Sequence, residues 1–340
     1  MASIKEIAQL ANVSQGTASM VLNGKGDKYR ISAATQQKIL EAAKQLNYQP
    51  NISARRLRSG GETVLPIIAL FWTLDTRAAL VGRFLKGLQH AMSELEDEYE
   101  LLIHPYVGSK LSEVQSLVTG TRFNGAIIAN STEEDDEFLE TADLNVPVVL
   151  YQRDSNKYAS VSVDSYESGG MVAEMLYGRG HRKVGLIVPD VSSRAIRLRE
   201  EGFVAKAAEL GMDAGEAWIV YGDFSEQGGY EAVKRLKPEG GAWPSALFAL
   251  SDQMAVGALK ALDECGVKVP EELEIIGYDN DEVTNYTIPP LSTVHLPVEE
   301  MAGESLRLLI EMMRYQTNVK TAKQMDTRIV MRKSCGGPIG

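Results

Sequence analysis

The sequence predicts a small all-α helix-turn-helix head followed by an α/β body of two Rossmann-like lobes. Three observations carry this. The first 50 residues contain short amphipathic segments, each opened by a capping residue. From residue 62 onward, apolar runs of strand length alternate with helical stretches. The charge is divided between the two parts: residues 1–60 carry nine Lys/Arg against three Asp/Glu, a net +6, whereas the whole 340-residue chain carries −11, leaving −17 on residues 61–340. That length exceeds one compact domain, and about ten strand-helix units are too many for one compact sheet.

In the head, Ser3 and Glu6 have capping-box spacing, and Ile4, Ile7, Ala8 and Ala11 share one helical face. Asn12 and Val13 make a turn. Ser14 caps a second helix that turns Ala18, Val21 and Leu22 inward and leaves Gln15, Gly16, Ser19, Met20 and Asn23 outside. Gly24-Lys25-Gly26 breaks the chain. Ser32 caps a third helix with Ile39, Ala43 and Leu46 inside. A generic helical bundle has the same periodicity. The short polar outer face of the second helix, without the Glu/Lys pairs of a solvated surface, argues instead for close approach to base edges and phosphates. Pro50 ends the third helix, Asn51 caps a short helix over Ile52–Arg58, and Gly60-Gly61 closes it.

In the body, the strand-like runs are Pro66–Phe71, Leu101–His104, Ala126–Asn130, Pro147–Tyr151, Val184–Pro189, Trp218–Tyr221, Ala246–Leu250 and Leu273–Tyr278. Helical stretches separate them, including Arg77–Glu96, Tyr166–Arg179, Arg194–Leu210, Glu226–Leu236 and Asp252–Cys265. This alternation indicates parallel sheets covered on both faces. Ligands of such sheets bind beyond the carboxyl ends of the strands. The residues found there are Trp72, Asp75, Asn130, Gln152, Arg153, Asp164, Phe224, Ser251, Asp252 and Asp279. Carboxylates can hold sugar hydroxyls and an aromatic face can stack on a sugar ring. Loop or helix capping is the other reading of each, Asp252 included.

The run Ile4–Asn23, Leu46–Asn51 and Ala54-Arg-Arg-Leu57 resemble the start of the LacI/GalR family of bacterial transcription regulators. So do Gly180–Val184, Ser251–Ala255, Val269–Glu272, Gly277-Tyr-Asp279 and Pro289–Thr293 in the body, in the family's order. Three departures stand out: Met20 replaces a common arginine, Gly16 replaces a residue that often carries a reading side chain, and Gly24–Arg30 is about three residues longer than usual.

The resemblance implies lobes of the periplasmic-binding-protein type: the first about 62–162 plus 293–324, the second about 163–292 plus 325–340. The chain would cross near Val163-Asp164, near Ser292-Thr293 and shortly before Thr327. It implies a DNA-binding domain over 1–50 and a hinge over 51–61 that folds when two subunits set their hinge helices side by side in the minor groove. The DNA-facing set is Ser14, Gln15, Gly16, Thr17, Ser19, Met20, Asn23, Tyr29 and Arg30, with Asn51, Ala54, Arg55 and Leu57 in the hinge. Leu57 matches an apolar wedge, flanked by Arg55, Arg56 and Arg58; packing between linker and body is the alternative. Arg199 matches an arginine that binds the effector, and with Asp279 it forms either a ligand clamp or a structural ion pair.

The expected function is a ligand-responsive DNA-binding regulator, a repressor, working as a homodimer on double-stranded operator DNA. Its effector is expected to be a mono- or oligosaccharide between the lobes, with a nucleobase or phosphorylated metabolite as the alternative. No Gly-x-Gly-x-x-Gly, Walker, His-Glu-x-x-His or Gly-x-Ser-x-Gly pattern occurs, and the four histidines are dispersed. No catalytic residue, cofactor or metal is therefore expected. The absence of an apolar signal core or membrane span and the lone Cys265 and Cys335 predict a cytoplasmic protein without membrane attachment.

Overall fold

The computed structural model describes residues 4–22, 25–46, 65–73, 78–95, 98–120, 122–236, 243–315 and 320–337. In the head, α1 (Ile4–Leu10), α2 (Gln15–Leu22) and α3 (Ala33–Gln45) bury Ile7, Ala18, Val21, Leu22 and Ile39 in one cluster. Asn12 turns the chain at φ 53°, a left-handed conformation that asparagine tolerates better than most residues. Ser14 Oγ accepts the Thr17 amide at 3.0 Å, and Ser32 Oγ that of Thr35 at 3.3 Å. Each serine thus satisfies a donor that the helix start leaves free. Ser3, Asn23, Asp75 and the hinge with Asn51, Ala54, Arg55 and Leu57 lie outside the described residues.

The apolar runs become strands of two six-stranded sheets. The first contains β1 (Ile67–Thr73), β2 (Glu100–Tyr106), β3 (Gly125–Ala129), β4 (Val148–Tyr151), β5 (Ala159–Val163) and β11 (Ala322–Met325). Its order is β11-β5-β4-β3-β1-β2, parallel throughout. The second contains β6 (Val184–Pro189), β7 (Ile219–Gly222), β8 (Ala246–Ala249), β9 (Glu274–Asp279), β10 (Ser292–His295) and β12 (Arg328–Val330). Its order is β12-β10-β9-β8-β6-β7, with only β12 antiparallel.

Helices cover both faces of each sheet. On the first, α4 (Ala78–Ser93) and α11 (Val298–Tyr315) lie on one side, α5 (Gln115–Thr119) and α6 (Glu133–Thr141) on the other. On the second, α7 (Ser165–Gly178) and α8 (Arg194–Glu209) lie opposite α9 (Glu226–Arg235) and α10 (Asp252–Glu264). The chain passes between sheets after β5, after β10 and between β11 and β12. The second passage differs from the expectation at Ser292-Thr293. Thr293 stands opposite Gly277 on one side and Val330 on the other, so Ser292–His295 belongs to the second sheet and the crossing moves to Leu296-Pro297. A segment this short fits either sheet; the pairing of its buried backbone decides.

Two glycines set the height of α8. A Cβ at Gly169 would run into the Arg199 carbonyl, and one at Gly202 into that of Tyr166. Only hydrogen at both positions lets α7 and α8 approach so closely.

Candidate DNA-reading head and effector cleft

Helix α2 buries Ala18, Val21 and Leu22, so its opposite face is left to Gln15 and Gly16, both exposed, with Thr17, Ser19 and Met20 half-buried. Ser14 and Thr17 share a hydroxyl contact of 2.7 Å at its start. Gln36 of α3 donates to Asp27 Oδ1 at 2.9 Å and to the Ile31 carbonyl at 2.8 Å, both in the segment from Lys25 to α3. This segment presents Tyr29 and Arg30 to solvent, with Arg30 at φ 53°. An uncharged helix face beside a cationic loop suits base edges on one side and phosphates on the other.

In the body, the strand ends carry unusual backbone. Asn130 after β3, Gln152 after β4, and Asp279 and Asn280 at the end of β9 have φ of 57°, 60°, 117° and 57°. Non-glycine residues hold such angles only where the surroundings impose them, often at ligand sites.

The wall of the second lobe centres on Arg199. It is 5% exposed, lies over the Tyr278 ring at 3.2 Å and donates Nη1 to the Leu250 carbonyl at 3.0 Å, while Nε meets no partner among the described residues. Fully buried Ser251 follows Leu250, and its hydroxyl also meets none. Buried Asp279 follows Tyr278. Burial pushes its carboxyl well above the ordinary range, the nearby Asp281 and Asp252 charges add to this, and Arg199 and Arg83 oppose it. Arg199 and Asp279 are therefore neighbours, but not a contact ion pair among the described residues.

Asp252 does not cap α10; Ser251 stands at that position, itself without a side-chain cap bond. The Asp252 carboxylate accepts from Thr293 Oγ1 at 2.7 Å and from the Asp281 amide at 2.8 Å, in space that Gly277 leaves open. Burial lifts it to about 8, against those hydrogen bonds. Thus Asp252 ties α10 to the chain on both sides of the β9–β10 connection.

The first-lobe wall holds Trp72, buried with its ring edge on Phe84, and buried Asn130, whose carbonyl accepts from Thr73 Oγ1 at 3.0 Å. Arg153, 3% exposed, donates to the Gln152 and Ser131 carbonyls and pairs through Nε with Asp136 at 3.2 Å. Two expected residues sit differently. Asp164 is exposed and caps α7 by accepting the Glu167 amide at 2.8 Å. Phe224 is buried in the hydrophobic core.

Two cross-lobe bridges escaped sequence reasoning. Arg197 on α8 reaches Glu133 on α6 at 2.9 Å, both about half exposed. Deeper in, Arg83 on α4 donates to the Asp279 carbonyl at 2.7 Å, the Leu296 carbonyl at 3.0 Å and Asp281 Oδ1 at 3.3 Å, and forks onto Glu299 at 2.9 and 2.8 Å. Burial works against its charge, but Glu299, Asp281 and Asp279 outweigh this and hold its pKa raised. An arginine on an amphipathic helix gives no sequence signal of such a role. Among the described residues, no group of three or more His, Cys, Asp or Glu side chains could hold a metal, and no helix is long and apolar enough to cross a membrane.

A three-helix head of this kind on a two-lobed body with converging polar strand ends defines a regulator that joins a DNA-reading module to a ligand cleft. Residues 3–51 match the bacterial regulatory proteins of the lacI family, and residues 173–335 match the periplasmic binding protein-like domain. A LacI family transcription regulator from Clostridium acetobutylicum is 31% identical, with a TM-score of 0.74, covering 78% of this chain and 99% of its own. The HTH-type transcriptional repressor PurR of Pasteurella multocida is 28% identical over 98% of both chains. A transcriptional regulator solved as a CelR–cellobiose complex is 25% identical, with a TM-score of 0.71, over 98% of this chain and 100% of its own. The chain belongs to the LacI family. It is a DNA-binding transcriptional repressor with an effector-binding body, and its relatives are repressors rather than enzymes.

Proposed function

We propose that this repressor acts in the cytoplasm as a homodimer on a two-half-site operator and is switched by a mono- or oligosaccharide bound between its lobes. The organisation is a DNA-binding domain over 1–50, a hinge over 51–61 and the effector body from 62. In the head, Ser14, Gln15, Gly16, Thr17, Ser19, Met20, Asn23, Tyr29 and Arg30 face DNA. Gln15 carries most direct readout, Met20 supplies apolar contact, and Leu57 wedges between base pairs beside Asn51, Ala54 and Arg55.

The observation that carries the effector reading is unspent hydrogen-bonding capacity at the second-lobe strand ends. Arg199 Nε and the Ser251 hydroxyl are buried donors without partners among the described residues, and the Asp279 carboxyl group lies near Arg199. Donors and an acceptor together suit the vicinal hydroxyls of a neutral sugar. From the first lobe, Trp72, Asn130, Gln152 and Asp75 are the residues proposed to contact the effector. The cellobiose bound to the related regulator supports the same class. A nucleobase or phosphorylated metabolite is the competing ligand, favoured if the buried Arg199 cation dominates.

Effector binding at the joint of the lobes changes their angle and hence the spacing of the hinges, by differential affinity for two states. The test is calorimetry of the full chain against sugars, nucleobases and sugar phosphates. Arg199→Ala and Asp279→Asn should each abolish the response to the ligand found while operator binding persists. Undiminished ligand affinity in either variant removes that residue from the site.

A further inference from the structure

A cavity of about 460 Å³ lies at the outer edge of the first sheet, between β2 and the segment that leads into α5, and no cleft residue lines it. Its size is within the range of small-molecule sites. Its lining is unusual for this body. Residues 61–340 carry −17, yet Lys110 and Arg122 meet here beside the His104 ring against one carboxylate, Glu113. The Lys110–Glu113 pair is 3.8 Å apart and more than half exposed on both sides, so Lys110 is weakly held and free to turn to another anion. Ser116 also lines the cavity; it is 8% exposed and its hydroxyl meets no hydrogen-bond partner among the described residues. A buried hydroxyl without a partner is costly unless a ligand or water completes it. Partial burial, and then the Arg122 charge, depress the His104 pKa.

We propose that this cavity is a second ligand site, distinct from the interlobe cleft, for a small metabolite bearing a phosphate or carboxylate group. Lys110 and Arg122 hold the anion, and Ser116 donates its hydroxyl. The site is joined to the cleft through backbone that Asp135 fixes. Asp135 accepts the amides of Ser109 at 3.1 Å and Leu111 at 3.0 Å, on either side of Lys110, and closes the capping box of α6 with Thr132. The same first turn carries Glu133, which bridges to Arg197 on the other lobe. An anion that draws Lys110 inward therefore acts on the turn that ties the cleft mouth.

Hydrogen exchange of the full chain, with and without millimolar inorganic phosphate, tests this against sodium chloride at matched ionic strength. Citrate in a parallel arm distinguishes a phosphate from a carboxylate ligand. The expected result is slowed exchange in peptides spanning residues 104–119. The Lys110→Gln, Arg122→Gln double variant should require on the order of tenfold more anion for the same protection, as expected for losing charge-assisted hydrogen bonds. Both side chains are exposed, so the fold should be retained. Protection confined to the basic head or to the cleft strand ends, protection by neither anion, or equal protection in the double variant would overturn the assignment.

Discussion

Replacing Arg83 by methionine probes the joint between the lobes. The side chain is 16% exposed and its partners Asp281 and Glu299 are 11% and 31% exposed. Methionine keeps most of the volume but removes every donor, leaving two carboxylates and the Asp279 and Leu296 carbonyls without this partner. Breaking a buried ion pair from one side costs about 3–5 kcal/mol. The partial exposure of Glu299 places this case near the lower end, roughly 3 kcal/mol. For a body of this size that is a fall in Tm on the order of 10 °C. Arg83→Lys keeps the charge but loses the fork, so it should fall between methionine and the parent. Thermal melts and urea unfolding of both variants, with a double-mutant cycle against Glu299→Gln, give the coupling directly. A loss below about 2 °C for Arg83→Met, or no coupling to Glu299, would refute the claim that this arginine holds the lobes together.

Burial raises Asp252 to about 8 and holds Asp279 and Asp281 above their usual range. The folded chain then retains protons that the unfolded chain has released, so Asp252 lowers stability as pH climbs from about 4 through about 8, and Asp279 and Asp281 act in the same sense. Asp252→Asn can accept from the Asp281 amide and donate to Thr293 Oγ1, and it should flatten the decline in Tm above about pH 6; an unchanged decline would contradict the assignment. Gly202→Ala drives a Cβ into the Tyr166 carbonyl, so α8 must shift at a cost of about 1–3 kcal/mol; parental stability in a melt would show that the helices can part freely. Gln15→Ala should relax half-site preference in a binding-site selection and Met20→Arg should change it toward guanine, whereas identical profiles for both would remove them from readout.

The sequence by itself determined what is local. Ser14 and Ser32 were legible as caps because a cap needs only its own helix start, and the periodicity around Ile7, Ala18 and Ile39 already divided inside from outside. The alternation of apolar runs and amphipathic helices determined an α/β body, chain order marked Ser251 and Asp279 as residues near strand ends, and the family resemblance marked Arg199. Tertiary structure decided which strand ends matter. Asp164 caps its own helix and Phe224 joins the core, although both follow strands as Asp279 does. It also decided that Ser292–His295 pairs with β9, since a four-residue extended segment is compatible with either sheet until its backbone finds partners. Arg83 is the clearest case. Its partners at Asp279, Asp281, Leu296 and Glu299 lie 196 to 216 residues away. On its own helix it has only the pattern of an exposed charge, and the desolvated environment that makes it a joint between lobes exists only after both sheets have formed and met.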